Sequence, residues 1–522
     1  MNLVSREEKR GDIKKKFWIE DRYLVVIASA LFWGFFAHGY AFANKFSYRD
    51  DIHMQDGVGA TFSSGRWALG ILDKIVDFLF GVFSIPWVNG AVSVFFLALT
   101  CMMLVRLFDI KSKTISFLTT GLIVTFPAMT VLFSLMFTST YYAFAIMLTI
   151  LAVYVCEFMH NKVFGSVLSV LFIAFSLGIY QAYIGFAVCG FLISYFLKII
   201  DDKKETLKEQ LLRALWYAGI LAGGLAAYMG VNKLCLKILN LELTDYQGIG
   251  TMYEITVKQV FRRIITAYAN FFLNRDCTTV HTNVFMEKSI YIFYASIIGL
   301  LCLGVILVIR AIRDKKYKEA VLMMLVAAVF PLAVNIVYIM GAAYMYQLML
   351  HVKVMVFVLL LVLIDRVTIQ ANRNAVFRLA CIAGIFYLCL YYSIYANRCY
   401  QQAQVAQSRT IAWMTTLETQ IKEQDGFRDS MKIAYINNPC DGDLTFVVDS
   451  EFSNVELMGF TLDLRFYNSW RDFMQFWTGF HMDEVDEAKY EELKRSDMII
   501  EMPSYPSDGS IEIVDDVVIV KF

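Results

Sequence analysis

Eleven apolar runs, each of about 20 residues, limit this chain more than any other feature of its sequence. In a bilayer core the backbone must satisfy its own hydrogen bonds, so such runs are helices. The template places spans near 22–42, 84–107, 115–134, 140–158, 163–180, 182–200, 213–233, 287–309, 319–338, 344–365 and 376–396. Pro127 is expected to kink or end the third of these. Composition agrees: 58% of residues are hydrophobic and only 18% charged, against about a quarter charged in soluble domains. The formal net charge is zero, so no global field favours nucleic acid.

Orientation follows from the short loops. Lys and Arg gather before Tyr23, at Arg106-Lys111-Lys113, from Lys198 to Arg213, from Arg310 to Lys318, and at Arg366-Arg373-Arg378. The turns near Thr138, Gln181 and Gly341 carry neither residue. Basic short loops stay cytoplasmic, which puts the N-terminus inside and the C-terminal segment outside. Lys14-Lys15-Lys16 and Ala41-Phe42-Ala43 imitate a signal peptide and its cleavage site, but the first run is nearly long enough to cross by itself and is expected to be retained.

Three longer segments are then expected outside. In 43–83, Trp67, Ile71/Leu72, Ile75 and Phe78/Leu79 recur at helical spacing, with Asp73, Lys74 and Asp77 on another face. This is the pattern of a helix lying on the membrane. In 234–286, Val257, Val260/Phe261, Ile264 and Tyr268 make a second such face, opposite Lys258, Gln259, Arg262 and Arg263. From 397 the composition changes abruptly. A helical stretch near 403–424 precedes strand-like runs at Lys432–Ile436, Thr445–Val448, Met498–Glu501 and Ile511–Val520, separated by Pro and Gly. The fold class is an all-α polytopic membrane protein over 1–396 with a small α/β extracytoplasmic domain over 397–522. No Gly-rich phosphate loop precedes a helix, which argues against a nucleotide site. The ten cysteines form no Cys-x-x-Cys pair, and only Cys277, Cys399 and Cys440 are placed to bridge on the outer side.

Several polar residues stand where chemistry could use them. Tyr48-Arg49-Asp50-Asp51 follows the first span and precedes Gly65-Arg66-Trp67. Adjacent carboxylates at a membrane surface suit a group that deprotonates a hydroxyl, although a solvated loop has the same composition. His351 and Lys353 lie inside a span, roughly 10–13 Å from its outer end at an α-helical rise, where ionisable groups are costly and face a partner or a cavity. Lys353 either snorkels or faces an anion as a point charge. Arg66, Arg262, Arg263 and His351 complete the candidate phosphate contacts. Tyr48, Trp67, Tyr180, Gln181 and Arg275 are candidate sugar or acceptor contacts: an amide bonds hydroxyls and a tyrosine ring stacks on a sugar face. His38, Asn44 and Asp276 lie near the same surface.

The topology, Tyr48-Arg49-Asp50-Asp51, Gly65-Arg66-Trp67 and Gly178-Ile179-Tyr180-Gln181 together resemble the C-type (GT-C) membrane glycosyltransferases. More narrowly they resemble the Gtr-type bacterial glucosyltransferases that decorate O-antigen and related surface polysaccharides. The resemblance covers roughly 20–400. It implies a polyprenyl-phosphate-linked sugar donor, a glycan acceptor, and inverting transfer outside the cytoplasm, at the bacterial cytoplasmic membrane. The transferred sugar is glucose by the family's name, and Asp50 or Asp51 is the catalytic base. It also implies an upstream polyprenyl-phosphate glycosyltransferase and a flippase as working partners, with membrane lipid but no nucleic acid. No cofactor is expected and a metal is not demanded: the adjacent carboxylates could bind one, but basic residues can neutralise the phosphate without it. A lipid-linked glycan flippase, a polysaccharide polymerase and a membrane scaffold share the many spans. The outer domain, the surface helices and the lack of duplicated halves speak for the transferase.

Overall fold

A computed structural model describes residues 20–46, 51, 58, 61–81, 84–201, 205–244, 256–274, 287–340, 345–370, 375–439 and 469–522, with 287, 367–370 and 469 in backbone only. The chain divides into two compact units. The first comprises Met1–Ala43, Val58–Gly81 and Ile85–Asn397; the second comprises Asn44–Gly57, Val82–Ser84 and Arg398–Phe522.

The first unit is helical throughout. Its elements are α1 (Asp21–Ala43), α2 (Trp67–Phe80), α3 (Pro86–Leu107), α4 (Lys113–Thr125), α5 (Pro127–Ser134), α6 (Met136–Phe158), α7 (Lys162–Ile179), α8 (Ile184–Ile200) and α9 (Leu207–Leu239). They continue with α10 (Val257–Phe272), α11 (Glu287–Arg313), α12 (Tyr317–Val334), α13 (Ile336–Met340), α14 (Val354–Gln370) and the start of α15 (Ala375–Lys422). Among the described residues ten helices are long and apolar enough to cross a membrane, and α4 with α5, bent by 43°, form a broken span or a re-entrant pair. The protein is therefore a multi-pass membrane protein. The break falls at Phe126-Pro127, where proline removes a backbone donor and clashes with the preceding turn.

Local sequence sets the helix ends. Ser112 and Asn161 accept amide bonds from Ile115 and Phe164 at the starts of α4 and α7. Thr206 with Glu209, and Thr256 with Gln259, form reciprocal capping boxes on α9 and α10. Within the bundle, hydroxyls and amides bridge helices instead of facing lipid. Ser29 donates to Phe117 O (2.7 Å), Ser169 to Ala152 O (2.7 Å), Ser176 to Ala145 O (2.9 Å) and Asn89 to Met136 O (3.0 Å). Residues 347–365 are buried throughout, whereas few residues of the apolar stretches of α9, α11 and α15 are buried.

The basic loops meet at one end of this unit. Asp365 accepts the amides of Lys111 (2.7 Å) and Ser112 (3.2 Å), and Arg366 pairs with Asp201 and donates to Phe108 O (3.2 Å). Arg22 donates to Ile110 O at 3.2 Å, Lys113 pairs with Asp21 at 2.7 Å, and Lys318 donates to Glu205 O at 2.7 Å. Lys198, Tyr217 and Glu157 form a closed cluster there.

The second unit contains the rest of α15, then β1 (Lys432–Ile436), α16 (Ser469–Thr478), α17 (Glu487–Lys494), α18 (Asp497–Glu501), β2 (Ile511–Val514) and β3 (Val517–Lys521). The sheet order is β1-β3-β2, with β1 parallel and β2 antiparallel to β3. Ala434, Ile436, Leu493, Ile499, Met502, Val517 and Ile519 form its core. Two expectations need correction. Met498–Glu501 is the helix α18, because Ser496 opens a helical turn that buries Ile499 alone. The run Ile511–Val520 is a hairpin, not one strand: Asp515 and Asp516 both adopt positive φ (50° and 60°), the backbone of a two-residue turn matched to strand twist. The helical stretch expected near 403–424 is the end of α15. Thr445–Val448 lies outside the described residues.

Candidate functional site

At the end of the first unit opposite the basic loops, two spans begin with short 3-10 turns, Gln181–Tyr183 ahead of α8 and Gln347–Lys353 ahead of α14. The two turns are packed together. Each follows an extended tyrosine, Tyr180 (φ −153°, ψ 112°) and Tyr346 (φ −100°, ψ 154°). Because residues 347–353 are not α-helical, the depth expected for His351 and Lys353 from an α-helical rise does not hold.

The residues before α2 form a tight turn against the first of these breaks. Arg66 N donates to Thr61 O (2.7 Å), Gly65 N to Phe62 O (3.1 Å) and Ser64 Oγ to Thr61 O (3.1 Å). Gly65 sits at φ +73°. Gln181 Nε2 donates to Ser64 O and to the Tyr228 hydroxyl, both at 3.1 Å, and that hydroxyl donates to Gly65 O at 3.1 Å. Gln181 is thus a strut between the 61–66 turn and α9. Trp67 is buried: its ring meets Phe175 edge-on with centroids 5.7 Å apart, and it lies so near Gly178 that a β-carbon there would come within 2.6 Å of it.

This packing aims Arg66. Its guanidinium lies 5.4 Å from the centroid of the Tyr180 ring. Tyr180 packs on Tyr142 and Tyr183, with both centroids at 4.9 Å. Tyr183 meets His351 at 6.3 Å, and Phe126 and Phe186 flank that imidazole at 5.9 and 5.2 Å. Two residues on, buried Lys353 donates to Asn274 Oδ1 at 3.2 Å. An unbroken run of rings therefore links the element carrying Arg66 to the element carrying Lys353. The run is itself buried, with Tyr180, Tyr183, His351 and Lys353 each 5% exposed or less.

The other candidates divide. On α10, Val257, Phe261 and Ile265 are exposed in a line. Arg262 is exposed on that helix, whereas Arg263 donates to Ile339 O at 3.3 Å. The second half of α2 likewise exposes Ile75, Phe78 and Leu79. His38 bonds Val124 O at 2.9 Å and packs on Phe133 inside the bundle. Tyr48, Asp50, Arg275, Asp276, Cys277 and Cys440 lie outside the described residues; Cys399 is a buried free thiol.

Asp51 belongs to the second unit, and its side chain is fully buried. One oxygen accepts from Lys45 Nζ and the other from Ser84 Oγ (3.1 Å), while Lys45 also donates to Ser84 at 3.1 Å. Gln407 donates to Lys45 O at 3.0 Å, and Phe46 stacks on Tyr400 at 6.3 Å. Neither Lys45 nor Ser84 was evident as a site residue from sequence, since single polar residues at span ends are common. Tyr228 was also missed, because tyrosines are common in this chain. Among the described residues no group of three or more His, Cys, Asp or Glu could hold a metal ion.

Residues 39–396 match the family model for the glucosyl transferase GtrII. No curated protein and no solved structure matches the chain. The matched stretch includes Asp51, Arg66, Tyr180, Gln181 and Lys353 and stops within α15.

Proposed function

Since the chain belongs to the GtrII glucosyl transferase family, we propose that it moves a glucosyl residue from a polyprenyl-phosphate donor to a cell-surface glycan. The reaction takes place at the extracytoplasmic face of the bacterial cytoplasmic membrane and inverts the anomeric centre. Asp50 takes the proton of the acceptor hydroxyl as its oxygen attacks the anomeric carbon. The bond from that carbon to the phosphate oxygen breaks, and the polyprenyl phosphate leaves with the electron pair. Base catalysis of this kind contributes about 10²–10⁴-fold. Arg66 and Lys353 stabilise the charge gathering on the leaving phosphate, with Arg262 and Arg263 drawing the anionic donor along the surface. Tyr180 offers a ring to the sugar, with Tyr48 and Arg275 on the acceptor side; Trp67, Gln181 and His351 keep the aromatic run in place. A separate enzyme makes the donor in the cytoplasm and a flippase delivers it.

The observation that carries this reading is the family match, which takes in every one of these side chains. The apolar faces of α2 and α10 favour a lipid-borne donor at the bilayer surface. The test is transfer by purified protein in detergent or liposomes, supplied with polyprenyl-phosphate glucose and an isolated surface glycan. Turnover is expected for the parent chain and none for Asp50→Asn. A parent chain that only relocates the lipid between leaflets, with no glucose on the glycan, would refute the proposal.

A further inference from the structure

We infer that α10 is a docking surface for the headgroups of anionic phospholipid in the bilayer, with Lys258 and Arg262 as the groups that meet them. The inference goes beyond the transferase reading and stands or falls without it. The helix Val257–Phe272 carries Lys258, Arg262 and Arg263 and no acidic residue. Arg263 is used inside the protein, donating to Ile339 O at 3.3 Å. Lys258 and Arg262 are exposed, and neither forms an ion pair among the described residues. At about 100° per residue, exposed Val257 (84%), Phe261 (68%) and Ile265 (60%) sweep about 80° of the helix surface, and Lys258 and Arg262 follow within about the next 60°. Ala267, Asn270 and Phe271 are buried on the opposite side. An apolar line beside a cationic line suits a helix at the boundary of acyl chains and headgroups, where the first leaves water and the second keeps its charge at the phosphates.

The bundle holds α10 at the matching height. Arg263 meets Ile339, Asn335 Nδ2 donates to Ala267 O at 2.9 Å, and the Tyr268 hydroxyl donates to Ala328 O. The helix therefore runs antiparallel to the end of α12 and to α13, descending toward the basic loops. Ile339 lies at most about 33 Å beyond Tyr317, the start of α12 at the basic end, at the helical rise. A hydrocarbon core is about 30 Å thick. Lys258 and Arg262, on the turns at or above Arg263, thus stand near the headgroup layer opposite the basic loops, with Ile265 and Phe272 below it. Two cations without a protein partner at that level are matched by lipids of net negative charge, each Lys or Arg adding about fivefold in affinity for an anionic surface.

The test replaces Phe261 of the full chain with the photoreactive p-benzoylphenylalanine and reconstitutes the protein in vesicles of equal phosphatidylcholine and phosphatidylglycerol. Crosslinked adducts are identified by mass spectrometry. No polyprenyl phosphate is present, so the readout does not depend on transfer. Phosphatidylglycerol adducts are expected to exceed phosphatidylcholine adducts by about twentyfold, and the ratio should fall as salt screens the cations. Lys258→Gln/Arg262→Gln in the same background should bring the ratio close to one while lipid adducts still form, because the apolar line remains. Lys258→Arg/Arg262→Lys should keep the preference. Both positions are exposed, so each variant should fold like the parent, checked by a monodisperse detergent profile and Tm. A ratio near one in the parent, or one that survives the double Gln variant, overturns the proposal. Adducts to protein in place of lipid overturn it too, since another segment or a second copy then covers the face. Loss of the preference on adding inorganic phosphate at constant ionic strength would assign the cations to free anions and likewise refute it. A chain that keeps the preference but moves no glucose in the transfer assay would sink the transferase reading and leave this one standing.

Discussion

The Arg66 guanidinium faces the ring of Tyr180 at 5.4 Å, and these two residues come from segments more than a hundred positions apart. The pairing depends on Gln181, which ties the turn before Arg66 to the break after Tyr180.

An arginine against a ring is not replaceable by lysine, because the planar cation both stacks and presents a fork of donors. Arg66→Lys is expected to raise donor KM and lower kcat, for a loss in kcat/KM of about 10²-fold, the scale of losing one preorganised donor to developing charge. Tyr180→Phe keeps the ring and should stay within a few-fold of the parent. Tyr180→Leu should lose a further factor consistent with about 0.5–2 kcal/mol of cation–π attraction. Steady-state kinetics against donor concentration check the order Tyr180→Phe, Tyr180→Leu, Arg66→Lys; an Arg66→Lys variant as active as the parent would remove the stacked guanidinium from the mechanism.

Gly65 is the second lever on the same arrangement. Its φ of +73° is a conformation side chains resist, at about 1–2 kcal/mol, and a β-carbon would come within 2.7 Å of the Tyr228 hydroxyl and 3.0 Å of Gln181 Nε2. Gly65→Ala is therefore expected to destabilise the protein by about 1–3 kcal/mol and to lower activity by more than its Tm loss accounts for, because the strut at Gln181 must move. Tm in detergent and activity measured well below it separate the two effects.

How far the sequence discloses this molecule depends on the length over which a signal is summed. The spans rest on twenty-residue runs, and they appear where expected, including the break at Pro127. Shorter periodic patterns suggest α2 and α10: Ile75, Phe78 and Leu79 are exposed on α2 as the pattern has them, whereas on α10 Val257 and Phe261 are exposed with Ile265, and Val260, Ile264 and Tyr268 only partly. Met498–Glu501 is too short for period to separate helix from strand, and its burial of one residue decided for helix. The candidate site was legible only in residue type. Nothing in Gly178-Ile179-Tyr180-Gln181 says that Gln181 reaches Ser64 and Tyr228, or that Trp67 lies over Gly178, since those contacts follow from how α2, α7 and α9 pack.

Asp73 on α2 carries a predicted pH dependence. Burial raises its pKa above the usual 3.8; the Val58 amide bond opposes this, and the charge of Asp77 adds to it. A carboxyl whose folded pKa is raised favours the folded state fully below about 3.8, and that contribution is lost as pH rises through the raised value. At neutral pH the ionised group is therefore a cost. Asp73→Asn keeps an acceptor for Val58 and should raise Tm slightly at pH 7, with the difference vanishing below about pH 4. An Asn variant less stable than the parent at neutral pH would contradict this sign.

At the opposite end, Glu157 accepts from both Lys198 and Tyr217, and Lys198 donates to Tyr217 at 3.1 Å. Lys162 adds bonds to the carbonyls of Cys156 (3.2 Å) and Glu157 (2.8 Å), so the ends of α6 and α8 and the start of α7 are tied at one point. Glu157 and Lys198 have side chains 9% and 24% exposed, so deleting one partner strands the other largely out of water. Glu157→Leu is expected to cost about 3–5 kcal/mol, whereas Glu157→Leu/Lys198→Met, which strands no charge, should return to within about 1 kcal/mol of the parent. The coupling is read from a double-mutant cycle on unfolding midpoints in mixed micelles. Transfer activity per folded molecule should be unchanged in the double variant, because the cluster lies at the basic end, away from Arg66 and Lys353. Additive single and double effects would mean that the three side chains share a location without holding the helices together.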